Sequence, residues 1–191
     1  MLSVNYVYMI PIFKQSHGAL GYALKGWELS GILTTYSGAP VNIVTSATDP
    51  AGLGFLFPGS QATGQNRPDM ICNPNAGAPH GYSGAAQSTA QHLAWFNTGC
   101  FAAVPQGEVR PGNEGVNSVI GPGFFNLDAS LMKNFRIRER FTTQFRLETL
   151  NTLNWVNPAG FASLNMTATN FGQINNVRAP RRMQLALKLM F

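Results

Sequence analysis

Residues 182–191 read RMQLALKLMF, and their apolar side chains fall on alternate positions up to the final Phe191. Successive side chains of a β-strand point to opposite faces. Met183, Leu185, Leu187, Leu189 and Phe191 therefore share one face, and Arg182, Gln184, Ala186, Lys188 and Met190 share the other. One face is oily and the other mostly polar. Half-burial against a soluble core and an oily face turned to lipid explain this stretch equally well, so the rest of the chain has to decide.

The pattern recurs four times. LSVNYVYMIPI, residues 2–12, sets Leu2, Val4, Tyr6, Tyr8 and Ile10 against Ser3, Asn5, Val7 and Met9. WELSGILTTY, residues 27–36, sets Trp27, Leu29, Gly31 and Leu33 against Glu28, Ser30, Ile32 and Thr34. FNLDASLMKNF, residues 125–135, sets Phe125, Leu127, Ala129 and Leu131 against Asn126, Asp128, Ser130 and Met132. FTTQFRLETL, residues 141–150, sets Phe141, Phe145 and Leu147 against Gln144, Arg146 and Glu148. Segments of roughly ten residues exceed the usual five or six of a soluble strand and match the 9 to 11 that a tilted strand needs to cross a bilayer. Glu28, Asp128, Arg146, Glu148 and Lys188 on the second faces would be costly in a dry core unless paired. A water-filled lumen accepts them. Helical spacing is weak throughout, and Gly and Pro punctuate most windows.

Length permits one domain with a sizeable core, but only 11% of the 191 residues are charged, against roughly 25% in an average soluble domain. The formal charge of +5 gathers at segment ends, in Arg136, Arg138 and Arg140 and in Arg178, Arg181 and Arg182. A nucleic-acid binder would interleave a basic stripe with aromatics, and no nucleic-acid partner is expected. Charge at strand ends suits lipid headgroups or turn solubility. No apolar run approaches the roughly 20 residues of a membrane helix, and MLSVNYVYMI lacks the basic start of a secretory signal. The chain is then either cytoplasmic or preceded by a missing start.

The connections alternate in length. A moderate link, FKQSHGALGYALKG, and a tight turn around residues 136–140 stand against long stretches at 38–123 and 151–180. Short periplasmic turns and long external loops are the asymmetry of an outer-membrane barrel. With a periplasmic C-terminus, Trp27 and Phe135 fall near the inner interface and Tyr36 and Trp155 near the outer one, where aromatic girdles sit.

GWELSGILTTYSGAPVNI, WFNTGCF, GPGFFNLDASLMKNFRI, FRLETLNTLNWVNP, NFGQI and the terminal strand together resemble the C-terminal barrel region of TonB-dependent outer-membrane transporters of the Oar-like branch. The resemblance implies an all-β fold, an antiparallel meander of five long transmembrane strands that is an incomplete piece of a 22-stranded barrel. Residues 38–123 would be a long extracellular loop and 181–191 the terminal strand, with plug, TonB box and signal peptide absent. Gln184, Ala186, Leu189 and Phe191 fit the family's barrel-assembly signal, although Ala186 stands where Gly is usual. The implied partners are outer-membrane lipid and lipopolysaccharide, the barrel-assembly machinery, TonB through the missing N-terminal part, and an unidentified solute. The expected role is uptake of a large or scarce solute across the bacterial outer membrane. The alternative is a free-standing secreted or surface β-rich binding or adhesion module.

Cys72 and Cys100, the only cysteines, both fall in the loop that this topology places outside the cell. In an oxidising compartment two such cysteines most simply form a disulfide. Adding His80 and His92 gives four potential zinc ligands, but intervals of eight and twelve positions are far from the tight pairs of structural zinc sites. No nucleophile elbow, phosphate loop or metalloprotease helix occurs, so neither catalysis nor a cofactor nor a metal is expected. NMT at Asn165 matches a glycosylation acceptor. Phe55, Phe57, Tyr82, Trp95 and Phe96 are candidate ligand contacts, with a packing cluster internal to the loop as the plainer reading.

Overall fold

The computed structural model describes residues 1–11, 18–46, 67–82, 94–138 and 141–191. Phe55, Phe57, His92 and Arg140 lie outside them. In chain order the strands are β1 (Leu2–Met9), β2 (Trp27–Tyr36), β3 (Pro40–Val41), β4 (Asp69–Met70), β5 (Phe101–Ala102), β6 (Val119–Ile120), β7 (Phe124–Arg138), β8 (Phe141–Leu150) and β9 (Arg182–Met190). One helix, α1 (Gly18–Leu24), precedes β2. The chain divides into two compact units, residues 1–36, 124–156 and 179–191 in the first and 37–123 and 157–178 in the second.

The first unit is the antiparallel sheet β1-β2-β7-β8-β9, which contains all five strands expected from the alternation. Register turns five local alternations into two continuous faces. One row of directly paired residues runs Tyr8, Leu29, Leu131, Leu147, Leu185 across the sheet. The adjacent row, on the other face, runs Val7, Ser30, Ser130, Glu148, Gln184. A one-residue slip in any strand would exchange the faces. The apolar face is open at β9, where Leu185 and Leu187 are 69% and 67% exposed. The polar face is concave, enclosing a cavity of about 840 Å³ lined from every strand by residues such as Asn5, Ser30, Asp128, Glu148 and Gln184. The sheet thus curves around its polar side. Tyr6 lies over its partner Gly31, where a Cβ would strike the Tyr6 ring and the Asp128 carbonyl, so the aromatic fills the place of the missing side chain.

One element was not foreseen, and one expectation needs correction. The link between β1 and β2 is more than a plain connection, because it contains α1, bracketed by Gly18 and Gly26, each at φ +74°. Such a φ is accessible to glycine without strain. Tyr36 does not join the apolar girdle. As an even-numbered residue of β2 it points to the polar face, where it stacks on Phe124 at 4.9 Å.

The second unit holds the core. Among the described residues the buried hydrophobics are Ile43, Phe96, Cys100, Phe101, Val104, Val119 and Ile174, all of them in this unit. Two short ladders, β3 with β6 and β4 with β5, frame a cluster in which Phe96 meets Phe101, Phe161 and Phe171 edge-on at 5.8, 5.8 and 5.4 Å. Edge-to-face contacts add to what area burial alone contributes. Cys72 and Cys100 form a disulfide with Cα atoms 4.8 Å apart, which removes both sulfurs from the zinc-ligand set considered above.

Candidate functional site

On the concave face of the sheet, alternation places hydrogen-bonding side chains side by side, and they satisfy one another. Arg146 donates to Glu148 Oε1 at 3.2 Å and to Gln144 Oε1 at 3.1 Å, and Gln144 donates to Asn134 Oδ1 at 3.0 Å. Asp128 Oδ1 accepts from Asn126 Nδ2 and from the Asn151 amide, each at 2.9 Å. Arg146 and Glu148 retain 41% and 40% of their side-chain exposure, so the pair is hydrated and worth at most about 1 kcal/mol. This wall can bind water and polar solutes without a dehydrated charge.

Aromatics mark both ends of the opposite face. Trp27 meets Phe145 edge-on at 6.0 Å at one end, and Trp155 tilts against Phe125 at 5.6 Å at the other. In the terminal strand Gln184 and Ala186 pair with Glu148 and Arg146, and Leu189 pairs with Thr143 on the apolar side. Phe191 is 97% exposed.

The second unit distributes its sequence candidates unequally. Phe96 is fully buried at the centre of the aromatic cluster, so its role is packing and it offers no surface to a ligand. Trp95 is half-buried, donates Nε1 to the Ile120 carbonyl at 3.0 Å and stacks on His80 at 4.7 Å. Tyr82 is half-buried. Asn165 has its side-chain amide engaged, donating to Ser46 Oγ at 2.8 Å and accepting from the Thr167 amide at 3.1 Å. The NMT triplet is thus a tie between two loop segments.

Sequence reasoning missed the polar clasps of this unit. Asp69 accepts both Arg110 terminal nitrogens at 2.7 Å and the Asn113 amide at 3.0 Å. The Arg110 guanidinium holds the Asp69 carboxyl below its usual range, against the opposing push of burial. Glu114 Oε1 accepts from the Ile43 amide at 3.0 Å and the Ser118 hydroxyl at 2.6 Å. Gly112 lies so close that a Cβ would strike the Arg67 and Pro68 carbonyls. Asp69 and Arg110 stand 41 positions apart, and no spacing rule links them. No group of three or more His, Cys, Asp or Glu side chains able to hold a metal occurs among the described residues.

Residues 1–184 match the family model described as the outer membrane beta barrel domain. No curated protein and no solved structure matches the chain.

Proposed function

Because the chain belongs to the outer membrane beta barrel domain family and thus to the bacterial outer membrane, we propose that it forms part of the wall and the external capture surface of a TonB-dependent transporter of the Oar-like type. One observation carries the wall assignment. The sheet has a predominantly apolar face and, on its concave side, a polar face, the two-sided pattern of a barrel with an aqueous interior. Soluble sandwiches bury one face, and this sheet contributes none of the buried hydrophobic residues. That counts against a free-standing adhesion module. Among the described residues the outer edges of β1 and β9 have no neighbouring strand, and since lipid cannot satisfy their backbone groups we assign their pairing to further strands of a larger, 22-stranded barrel.

In this reading the second unit faces the exterior and presents Tyr82 and Trp95 to a large or scarce solute, while plug movement driven through TonB completes uptake. Gln184, Ala186, Leu189 and Phe191 present the terminal strand to the barrel-assembly machinery. Arg178, Arg181 and Arg182, each exposed, meet lipopolysaccharide phosphates, which guanidinium groups bind well. The role is transport, with no catalysis.

Topology is directly testable. Val109, 81% exposed in the second unit, is replaced by Cys in the full-length protein, and intact cells are treated with a membrane-impermeant maleimide. The native disulfide leaves the new thiol as the reactive one among residues 1–191. Labelling of whole cells is expected. Labelling only after the outer membrane is opened would place this unit inside and sink the reading.

A further inference from the structure

Up to the irregularity between Arg136 and Arg138 in β7, register leaves Lys133 as the one charged residue on the apolar face of the sheet. It pairs with Trp27 on one side and Phe145 on the other. Yet Lys133 is only 2% exposed, because α1 covers it. The ammonium donates to the carbonyls of Tyr22, Ala23 and Lys25 at 2.7, 2.6 and 2.6 Å, and it lies over the rings of Trp27 and Phe135 at 5.4 and 4.8 Å. Tyr22 tilts against Phe135 at 6.0 Å and donates its hydroxyl to the Arg136 carbonyl, while Trp27 Nε1 donates to the Ala23 carbonyl at 3.2 Å. Trp27, Lys133 and Phe135 all belong to the apolar, convex face. The helix therefore sits outside the curve of the sheet, at the end where β2 begins.

The last carbonyls of a helix have no partner within it and carry the negative end of its dipole. In water they are hydrated, and no buried lysine is needed. A lysine ammonium has three donors, and here two go to carbonyls of the last turn of α1 and the third to Lys25, the residue that follows it, at a residue almost cut off from solvent. That arrangement is required where water is missing, since an unpartnered carbonyl in a bilayer is costly. The helix, GALGYAL, carries no charge, and its Tyr22, which leans on Phe135 of the sheet, remains 52% exposed on its other side. Tyrosine and tryptophan are the side chains that favour the membrane interface.

We infer that α1 is an interfacial foot, seated outside the barrel wall at the boundary between headgroups and acyl chains of the inner phospholipid leaflet and sealed at its C-terminus by Lys133. The inference rests on the apolar face being the lipid face. It adds an element that neither spans the membrane nor hangs in the periplasm.

The test uses the full-length protein reconstituted in phosphatidylcholine vesicles. A fluorophore on Ala23→Cys is exposed to lipids carrying a doxyl quencher near the headgroup or deep in the chain. A second protein carries the same label at Leu187→Cys. The expected result is stronger quenching of the Ala23 label by the shallow quencher than by the deep one, at the depth of roughly 5–10 Å typical of interfacial helices. Quenching by aqueous iodide alone would put the helix in water, and protection from every quencher would mean that protein covers it. Either outcome overturns the inference. The Leu187 label should respond to the deep quencher, and failure there would break the barrel reading itself. Lys133→Met, which removes all three donors, should move the Ala23 label toward iodide while leaving the Leu187 label in lipid. An unchanged Ala23 label would remove Lys133 from its assigned role as the seal.

Discussion

The sheet and the loop unit are built on opposite plans. In the loop unit, apolar side chains meet each other: Phe96, Ile43 and Val119 are at most 1% exposed, a disulfide closes the chain, the Asp69 carboxylate is held by Arg110, and Glu114 Oε1 is held by Ile43 and Ser118. In the sheet, none of the described apolar side chains of the strands is buried, and backbone pairing with a few cross-strand contacts such as Trp27 on Phe145 and Gln144 on Asn134 holds the strands in register. The difference is one of solvent. The loop unit excludes water by its own packing, as any soluble domain does. The sheet needs a medium that is already dry on one side and wet on the other. A mutation in the first should act through cavities and cross-links, and in the second through the side of the wall it faces.

The largest expected effect falls on the loop unit. Phe96→Ala should remove about 3–5 kcal/mol of its stability, the usual loss for truncating a buried aromatic. Protease susceptibility of the loops in intact cells should rise while the membrane-inserted fraction stays constant. A parallel loss of insertion would mean that the two regions do not separate in this way. Cys72→Ser comes next. A cross-link between residues 28 positions apart contributes about 3–4 kcal/mol by the chain-entropy relation, again readable as loop proteolysis. The same variant should leave the heat-modifiable mobility of the barrel unchanged.

In the sheet the contrast runs between adjacent residues. Leu187→Arg should lower stability by about 2–4 kcal/mol, as for a cation near mid-membrane on a lipid face, and Ala186→Arg on the concave side should do far less. Folded fractions in outer membranes measure both, and equal losses would erase the two-sided wall. A smaller effect is expected from acid. Because the folded-state pKa of Asp69 is depressed, its contribution is complete above the ordinary carboxylate value of about 3.9 and is lost as pH falls through the lower folded value. Hydrogen exchange near Asp69 and Arg110 should accelerate in that range, and Asp69→Asn should abolish the acceleration. The least effect belongs to Glu148→Gln, whose half-exposed pair with Arg146 should change stability by less than about 1 kcal/mol in a thermal melt of the reconstituted protein.

The sequence makes the sheet legible because its signal is local. A period of two needs only ten neighbouring residues, and the bounds of β2 and β8 coincide with the alternating stretches. Even the inward turn of Tyr36 was available in its parity with Glu28. Helix α1 was not legible, because seven residues with two glycines are too short to nucleate on their own. It exists because Lys133, 108 to 111 positions away, caps it. The loop clasps were hidden for the same reason, since Asp69 finds Arg110 and Glu114 finds Ile43 only in three dimensions. The disulfide could be named in advance because two cysteines admit one intramolecular pairing.

The loop unit is assembled from two stretches of chain with β7 and β8 between them, and this has a consequence in time. Val44 bridges to Asn165, and Ser46 meets Thr167 across 121 positions. Leu164, Met166 and Phe171 complete the cluster around Ile43 and Phe96. Contacts of such sequence separation are the slow ones to form. Cys72 and Cys100 lie in the first stretch and can join before the hairpin exists, which shortens the path that Ile43 and Phe96 must still search. The core itself closes only when the hairpin has delivered the second stretch. Completion of the loop unit therefore reports that β7 and β8 have been placed, and a chain stalled before that step exposes unpaired phenylalanines to the quality-control proteases of its compartment.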